Sequence, residues 1–65
     1  VSFAELVSNL RKALAADYLA REELSLGKIA FLLGYNDAST FSTAFRRWYG
    51  EPPGTYRKRL LERTS

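Results

Sequence analysis

The sequence of 65 residues contains no cysteine and no histidine. Without cysteine, the chain can form neither a disulfide nor a thiolate metal site. Without histidine, it lacks the imidazole that serves as a general base, as the partner of a nucleophilic serine and as a metal ligand. The carboxylates are scattered along the chain, and no glycine-rich phosphate loop is present. We therefore expect a protein that is not an enzyme and that binds no metal or cofactor.

The sequence also lacks a long hydrophobic run. No uninterrupted apolar stretch approaches the roughly 20 residues of a membrane span. The first ten residues contain Glu5 and no basic leader, so we expect no signal peptide. Hydrophobic residues still make up 46% of the chain, which is enough for a packed core and too many for a disordered segment. These features predict one small folded unit without a membrane segment.

Positive charge is concentrated at the C-terminal end. Residues 1–45 contain four basic and five acidic residues, a net charge of −1, whereas residues 46–65 contain six basic and two acidic residues, a net charge of +4. A basic end on a nearly neutral body suits an anionic partner such as nucleic acid. A charged tail that simply faces solvent has the same composition, so charge alone leaves both interpretations open.

The spacing of apolar residues predicts an all-α fold with four helices, near residues 3–20, 26–33, 38–49 and 53–62. Ser2 and Glu5 have capping-box spacing before the first helix, and Ser25 and Asp37 are expected to cap the second and third. Gly34 and Gly50 are expected to end those two helices, and Pro53 suits the first turn of the fourth. The first helix carries an apolar stripe formed by Phe3, Leu6, Val7, Leu10, Leu14 and Tyr18.

Two short helices joined by a tight glycine-bearing turn are typical of a helix-turn-helix. Phe41, Phe45 and Trp48 form the apolar side of the third helix, and its other side presents short polar and cationic side chains: Ser39, Ser42, Thr43, Arg46 and Arg47. Hydroxyl groups can reach base edges or a thymine methyl, and arginines can pair with phosphates. A corner in a helical bundle with a solvated helix face shows the same pattern.

The spacing of several residues resembles the second helix-turn-helix of the AraC/XylS family of bacterial transcription activators. The family signature is a glycine–aromatic turn, apolar anchors and a Gly-x-x-Pro exit. In this sequence the Gly34-Tyr35 turn is followed by the anchors Phe41, after five residues, and Phe45, after three more. Gly50 comes after another four residues and Pro53 after another two. The supporting and closing helices match through Leu26, Ile29, Ala30 and Leu33 upstream and Tyr56-Arg57 downstream. Residues 1–24 resemble, less sharply, the linker helix of the same family.

The resemblance implies a homeodomain-like three-helix core plus a linker helix, in a cytoplasmic protein that binds double-stranded DNA. Residues 1–24 would be the linker helix and its connection, and residues 25–65 the second helix-turn-helix and closing helix. Helix 38–49 would lie in the major groove, with Ala38, Ser39, Ser42 and Thr43 facing bases. The residues expected near the DNA backbone are Thr40, Arg46, Arg47 and Arg57. We expect weak discrimination, because the base-facing side chains are small.

The family's complete DNA-binding domain holds two helix-turn-helix units, so we expect this chain to be a fragment without the first. Its linker helix would then expose an apolar face, with Phe3, Val7, Leu10 and Leu14 as candidates, and self-associate through it. The alternative function is a helical interaction module that contacts RNA polymerase or a partner subunit and does not touch DNA.

Overall fold

The computed structural model describes residues 2–64 and folds into four helices. They are α1 (Phe3–Leu19), α2 (Leu26–Leu32), α3 (Ala38–Tyr49) and α4 (Pro53–Thr64). No strand occurs among residues 2–64, which confirms the predicted all-α class. Every helix boundary lies within two residues of the predicted one. None of the helices in this part of the chain is long and apolar enough to cross a membrane.

The three predicted N-terminal caps are present, and each satisfies an amide that the helix leaves unpaired. At α1, Ser2 Oγ accepts a hydrogen bond from Glu5 N at 3.2 Å, while Ser2 N donates to Glu5 Oε2 at 3.3 Å. Ser25 Oγ accepts from Lys28 N at 3.1 Å at the start of α2. Asp37 Oδ1 accepts from Thr40 N at 2.7 Å and thereby starts α3.

The turn between α2 and α3 depends on Gly34. Its φ of 88° lies in the left-handed region that favours glycine. This conformation ends α2 and lets Tyr35 N donate to Ala30 O at 2.9 Å. The Tyr35 ring then packs near Phe41, with the two ring centroids 5.9 Å apart. Gly34 therefore sets the abrupt change of direction that separates the two helices.

The core lies where α2 and α3 meet the C-terminal half of α1. Its buried side chains are Ala15, Leu19, Ile29, Ala30, Leu33, Phe41 and Phe45. Half-buried aromatic side chains surround them, and Tyr56 brings α4 against the ring of Phe45, with centroids 5.2 Å apart. A core this small depends on a few large side chains, and Phe41 and Phe45 are the largest of them.

Helix α1 packs on the core through a different line of residues from the apolar stripe that its sequence suggests. Ala15 and Leu19 are completely buried, whereas Phe3, Leu6 and Leu10 are 82%, 58% and 60% exposed. Of the other stripe residues, Leu14 and Tyr18 pack at the edge of the core, and Val7 is half-buried. The predicted exposure is therefore right for Phe3 and Leu10 and wrong for Leu14, because α1 turns that side chain toward the core. We call Phe3, Leu6 and Leu10 together the exposed stripe.

Two long-range hydrogen bonds tie the later helices to α1. The Tyr49 hydroxyl donates to Lys12 O at 3.1 Å and joins α3 to the middle of α1. Arg57 Nε donates to Leu19 O at 3.1 Å and joins α4 to its C-terminal end. The orientation of α3, which carries the candidate interface, is thus fixed by polar contacts as well as by the core.

Candidate nucleic-acid interface

Helix α3 has one buried and one exposed face. Phe41 and Phe45 are fully buried and hold the helix on the core. The side chains that the structure leaves exposed on the other face are Ser39, Thr40, Thr43, Arg46 and Arg47. No acidic residue occurs within α3. This face is therefore short, polar and cationic, as a helix that enters the major groove requires.

Ala38 and Ser42 lie closer to the core than the other predicted base-facing residues. Both are half-buried, whereas Ser39 and Thr43 are exposed. They lie at the edge of the exposed face, between it and the buried aromatic anchors. The structure therefore brings the four predicted base-facing residues onto one side of α3, with Ser39 and Thr43 at its centre.

The hydroxyl hydrogens of two threonines are already used within the helix. Thr43 Oγ1 donates to Ser39 O at 3.1 Å, and Thr40 Oγ1 donates to Asp37 Oδ1 at 2.9 Å. Each oxygen keeps its capacity to accept a hydrogen bond, and each side chain also presents a methyl group. In this conformation Thr43 offers DNA an acceptor and a methyl group, and it does not offer a donor.

Asp37 places a negative charge at the start of α3. The backbone N–H of Thr40, followed by the Thr40 hydroxyl, lowers the pKa of the Asp37 carboxyl below its ordinary value. The ionised carboxylate also interacts favourably with the positive end of the helix. Because this carboxylate occupies the N–H of Thr40, the first turn of α3 is poorly suited to hold a phosphate. We expect the cationic contacts to come from the last turn instead.

Arg46 and Arg47 provide positive charge in the last turn of α3. Both side chains are exposed, and neither forms an ion pair or a hydrogen bond with any residue between 2 and 64. Basic residues at this end also stabilise the helix through its dipole. Both guanidinium groups are consequently free to pair with an external anion.

Arg57 lies apart from these residues and has partners inside the fold. Its Nε donates to Leu19 O at 3.1 Å, and its Nη2 donates to Arg21 O at 3.2 Å. These carbonyls belong to the end of α1 and the connection that follows it. Arg57 is expected near the DNA backbone from its position in the sequence, and in the structure two of its donors hold α4 against the end of α1. Its contact with DNA stays a prediction, and the tests proposed below use Arg46 and Arg47.

An open cleft of about 440 Å³ separates α1 from α3, beside the exposed face of α3. The polar and aromatic residues that line it are Ser8, Tyr35, Thr40, Thr43, Arg47 and Trp48. The sequence gives no sign of Ser8 as a lining residue, and Trp48, on the predicted apolar side of α3, packs at the edge of the core with its ring half-buried. No local pattern indicates this cleft, because its walls come from α1, the turn and α3.

Residues 2–64 contain no group of three acidic side chains that could hold a metal ion.

Residues 1–59 match the family model described as a helix-turn-helix domain. The chain is similar to the ornithine utilization regulator of Pseudomonas aeruginosa, with 44% identity over 57 residues that cover 88% of this chain and 17% of that protein. It is also similar to a putative AraC-like transcription regulator of Streptomyces lividans, with 43% identity over 54 residues, 83% of this chain and 18% of the relative. The chain therefore spans less than a fifth of these relatives.

Two solved structures have the same arrangement of helices. A DNA-binding transcriptional dual regulator from Escherichia coli K-12 superposes with a TM-score of 0.90 at 27% identity, over 95% of this chain and 56% of that one. The transcriptional regulator CdpR from Pseudomonas aeruginosa superposes with a TM-score of 0.84 at 36% identity, over 89% of this chain and 18% of that one. Both matches include nearly all of the fold described above.

Proposed function

Since this chain belongs to the AraC family of DNA-binding transcription regulators, we propose that it reads a specific DNA sequence with α3 in the major groove. One observation carries this proposal. Helix α3 is anchored by Phe41 and Phe45, and its opposite face carries small polar side chains and two arginines that have no partner among residues 2–64. That combination fits a surface built to meet an external polyanion.

The proposal assigns two kinds of DNA contact to the residues of α3. Ser39 and Thr43, with Ala38 and Ser42 at the edge of the same face, contact base edges. Arg46 and Arg47 pair with phosphates and fix the position of the helix without reading sequence. Thr40, whose N–H and hydroxyl both donate to Asp37, contacts the sugar-phosphate backbone through its methyl group. None of the base-facing side chains can make the bidentate contact that gives strong discrimination between bases. The preference of this unit alone is accordingly modest.

The same proposal extends to the architecture of the longer protein. We assign residues 1–24 to a linker helix with its connection and residues 25–65 to a second helix-turn-helix with its closing helix, in a cytoplasmic protein. The exposed stripe supports this assignment, because three large apolar side chains on one helix face require a cover in a stable protein. A first helix-turn-helix unit would supply that cover.

A salt titration on DNA tests the docking face. The full-length protein first selects its preferred duplex from a random pool, and its affinity for that duplex is then measured at several salt concentrations. Replacing Arg46 and Arg47 by alanine should weaken binding to all duplexes alike. It should also lower the log–log salt slope by about 0.9 for each phosphate that the protein no longer neutralises.

A control of equal charge replaces Lys58 and Arg63 of α4 by alanine. Both side chains are exposed, and this double variant should lose much less affinity, because only the long-range field changes. Full affinity in the Arg46/Arg47 double variant, or an equal loss in the control, would show that the docking face is wrong.

A second candidate function is contact with RNA polymerase or a partner subunit without DNA. Phe31 and Leu32 of α2 favour it, because they are 71% and 43% exposed and adjacent in the chain. Exposed apolar residues of this kind suit a protein partner better than a phosphate backbone. Replacing both by serine should abolish capture of RNA polymerase and leave duplex affinity unchanged. A protein without salt-dependent duplex affinity would favour this second function over the first.

A further inference from the structure

We propose that the cleft between α1 and α3 is a binding site for a phosphate group of the DNA backbone, with Ser8 and Trp48 as hydrogen-bond donors beside Arg47. The inference rests on the proposed function and deepens it, because it adds a contact from α1 to the docking surface of α3. It assigns Ser8 and Trp48 a part in DNA binding that the pattern of the helix-turn-helix does not indicate.

The chemistry of the cleft fits an anion. Arg47, which carries a guanidinium, lines the cleft together with Ser8, Tyr35 and Trp48, and each of these three side chains carries one further hydrogen-bond donor. No carboxylate lines the cleft. A second arginine, Arg11, places its guanidinium 5.1 Å from the centroid of the Tyr35 ring. Arg47 in the lining and Arg11 beside Tyr35 therefore place two positive charges at or next to the cleft.

The donors of the cleft are also unused. Within the part of the chain that the structure describes, Ser8, Tyr35, Arg47 and Trp48 form no hydrogen bond through their side chains. By contrast, the hydroxyls of Thr40 and Thr43 in the same lining donate to Asp37 Oδ1 and Ser39 O. Four unpaired donors around one open cleft can be satisfied together by the oxygens of a single phosphate and the water around it.

The position of the cleft selects DNA as the source of that phosphate. Thr40, Thr43 and Arg47 belong both to the cleft lining and to the exposed face of α3. A phosphate held in the cleft would therefore lie directly beside the bases that Thr43 faces. Helix α1 would then serve as a second wall that fixes the DNA strand along one side of α3.

The test compares Ser8→Ala and Trp48→Phe with the unsubstituted full-length protein on its selected duplex. Each change should weaken binding about three- to tenfold on every sequence, as expected for the removal of one hydrogen bond of ordinary net strength in an open cleft. The salt slope should stay the same, because neither side chain carries a charge that displaces counterions. Asn9→Ala is the matched control, since Asn9 is exposed on α1 outside the cleft lining and should keep full affinity.

The Ser8 result should not be confused by a folding defect, because alanine favours the interior of a helix more than serine does. The phosphate itself is located by replacing one phosphate of the duplex at a time with a neutral methylphosphonate. At one position the loss of affinity should be clearly smaller in Ser8→Ala than in the unsubstituted protein. If the loss of affinity caused by the methylphosphonate is the same in both proteins at every position, the inference is wrong.

The outcomes separate this inference from the proposed function. Loss of duplex binding in Arg47→Ala together with full affinity in Ser8→Ala and Trp48→Phe would overturn the cleft as a phosphate site and leave the docking face intact. An unsubstituted protein that binds no duplex, or an Arg46/Arg47 double variant with full affinity, would overturn both.

Discussion

The side chain of Arg57 holds the end of α1 by two hydrogen bonds, from Nε to Leu19 O at 3.1 Å and from Nη2 to Arg21 O at 3.2 Å. The last carbonyls of a helix have no partner within the helix, and a cation there also interacts favourably with the helix dipole. Arg57 thus links α4 to α1 over a sequence separation of 38 residues. The basic α4 contributes to stability through this residue as well as to net charge.

We expect Arg57→Ala to destabilise the fold by roughly 2 kcal/mol, because it removes two hydrogen bonds from a charged donor. Arg57→Lys should recover only part of this, since an ammonium lacks the planar fork that reaches both carbonyls. Urea denaturation, followed by the fluorescence of Trp48, the only tryptophan of the chain, measures both variants. Lys58→Ala is the control on the exposed side of α4 and should change stability little. Equal stability of the Arg57 and Lys58 variants would contradict the role assigned to Arg57.

The Tyr49 hydroxyl should make stability depend on alkaline pH. Tyr49 Oη donates to Lys12 O at 3.1 Å, and burial, followed by the nearby Tyr56, raises the pKa of Tyr49 above 10.0. The folded state therefore prefers the protonated phenol. The stability that the Tyr49 hydroxyl adds to the folded state is fully present below pH 10.0. It is lost as the pH rises through the higher pKa of the folded state.

Tyr49→Phe should lower the free energy of unfolding by about 1 kcal/mol near neutral pH, the usual net value of one hydrogen bond. The difference from the unsubstituted chain should shrink as the pH rises above about 10, where the unfolded tyrosine ionises. Urea denaturation of both chains at about pH 7 and about pH 11, on either side of that ionisation, measures the change. A difference that stays constant between the two pH values would show that Tyr49 ionises alike in the folded and unfolded chain.

Helix boundaries and caps could be predicted from the sequence because their causes are local. The N-terminal caps, the glycine turns and the apolar spacing each involve residues within a few positions of one another. Phe41 and Phe45 were recognisable as anchors for the same reason, since they lie one helical turn apart in the sequence. Both are fully buried in the structure. The outward face of α3 followed directly from that anchoring.

The contacts that could not be predicted join residues far apart in the chain. The position of Arg57 depends on where α4 crosses the end of α1, and the cleft at Ser8 depends on the angle between α1 and α3. For α1, spacing alone favoured the stripe through Phe3 and Leu10, yet small Ala15 lies at the core because it allows the close approach of helices. The line that is buried contains Ala15 and Leu19, so apolar spacing alone did not identify it.

Thr43 should read DNA through its methyl group. Its hydroxyl hydrogen is donated to Ser39 O at 3.1 Å, so the side chain presents a methyl group and an acceptor to a base edge. We expect Thr43→Val, which keeps a methyl at this position, to retain a preference for thymine. Thr43→Ser, which lacks the methyl, should lose it. Selection from a random pool with the full-length protein compares the two, and loss of preference in Thr43→Val alone would identify the hydroxyl oxygen as the reader.

The exposed stripe should make this chain self-associate when it is isolated. Phe3, Leu6 and Leu10 are 82%, 58% and 60% exposed on one face of α1, and apolar side chains of this size gain free energy by leaving water. Light scattering of the isolated 65-residue chain should therefore show a mass that rises with concentration. Replacing the three residues by glutamine should keep the chain monomeric and helical, because none of them contributes to the buried core. Asn9→Gln, at an exposed position beside the exposed stripe, should not reduce association, and a wild-type chain that stays monomeric at high concentration would contradict the prediction.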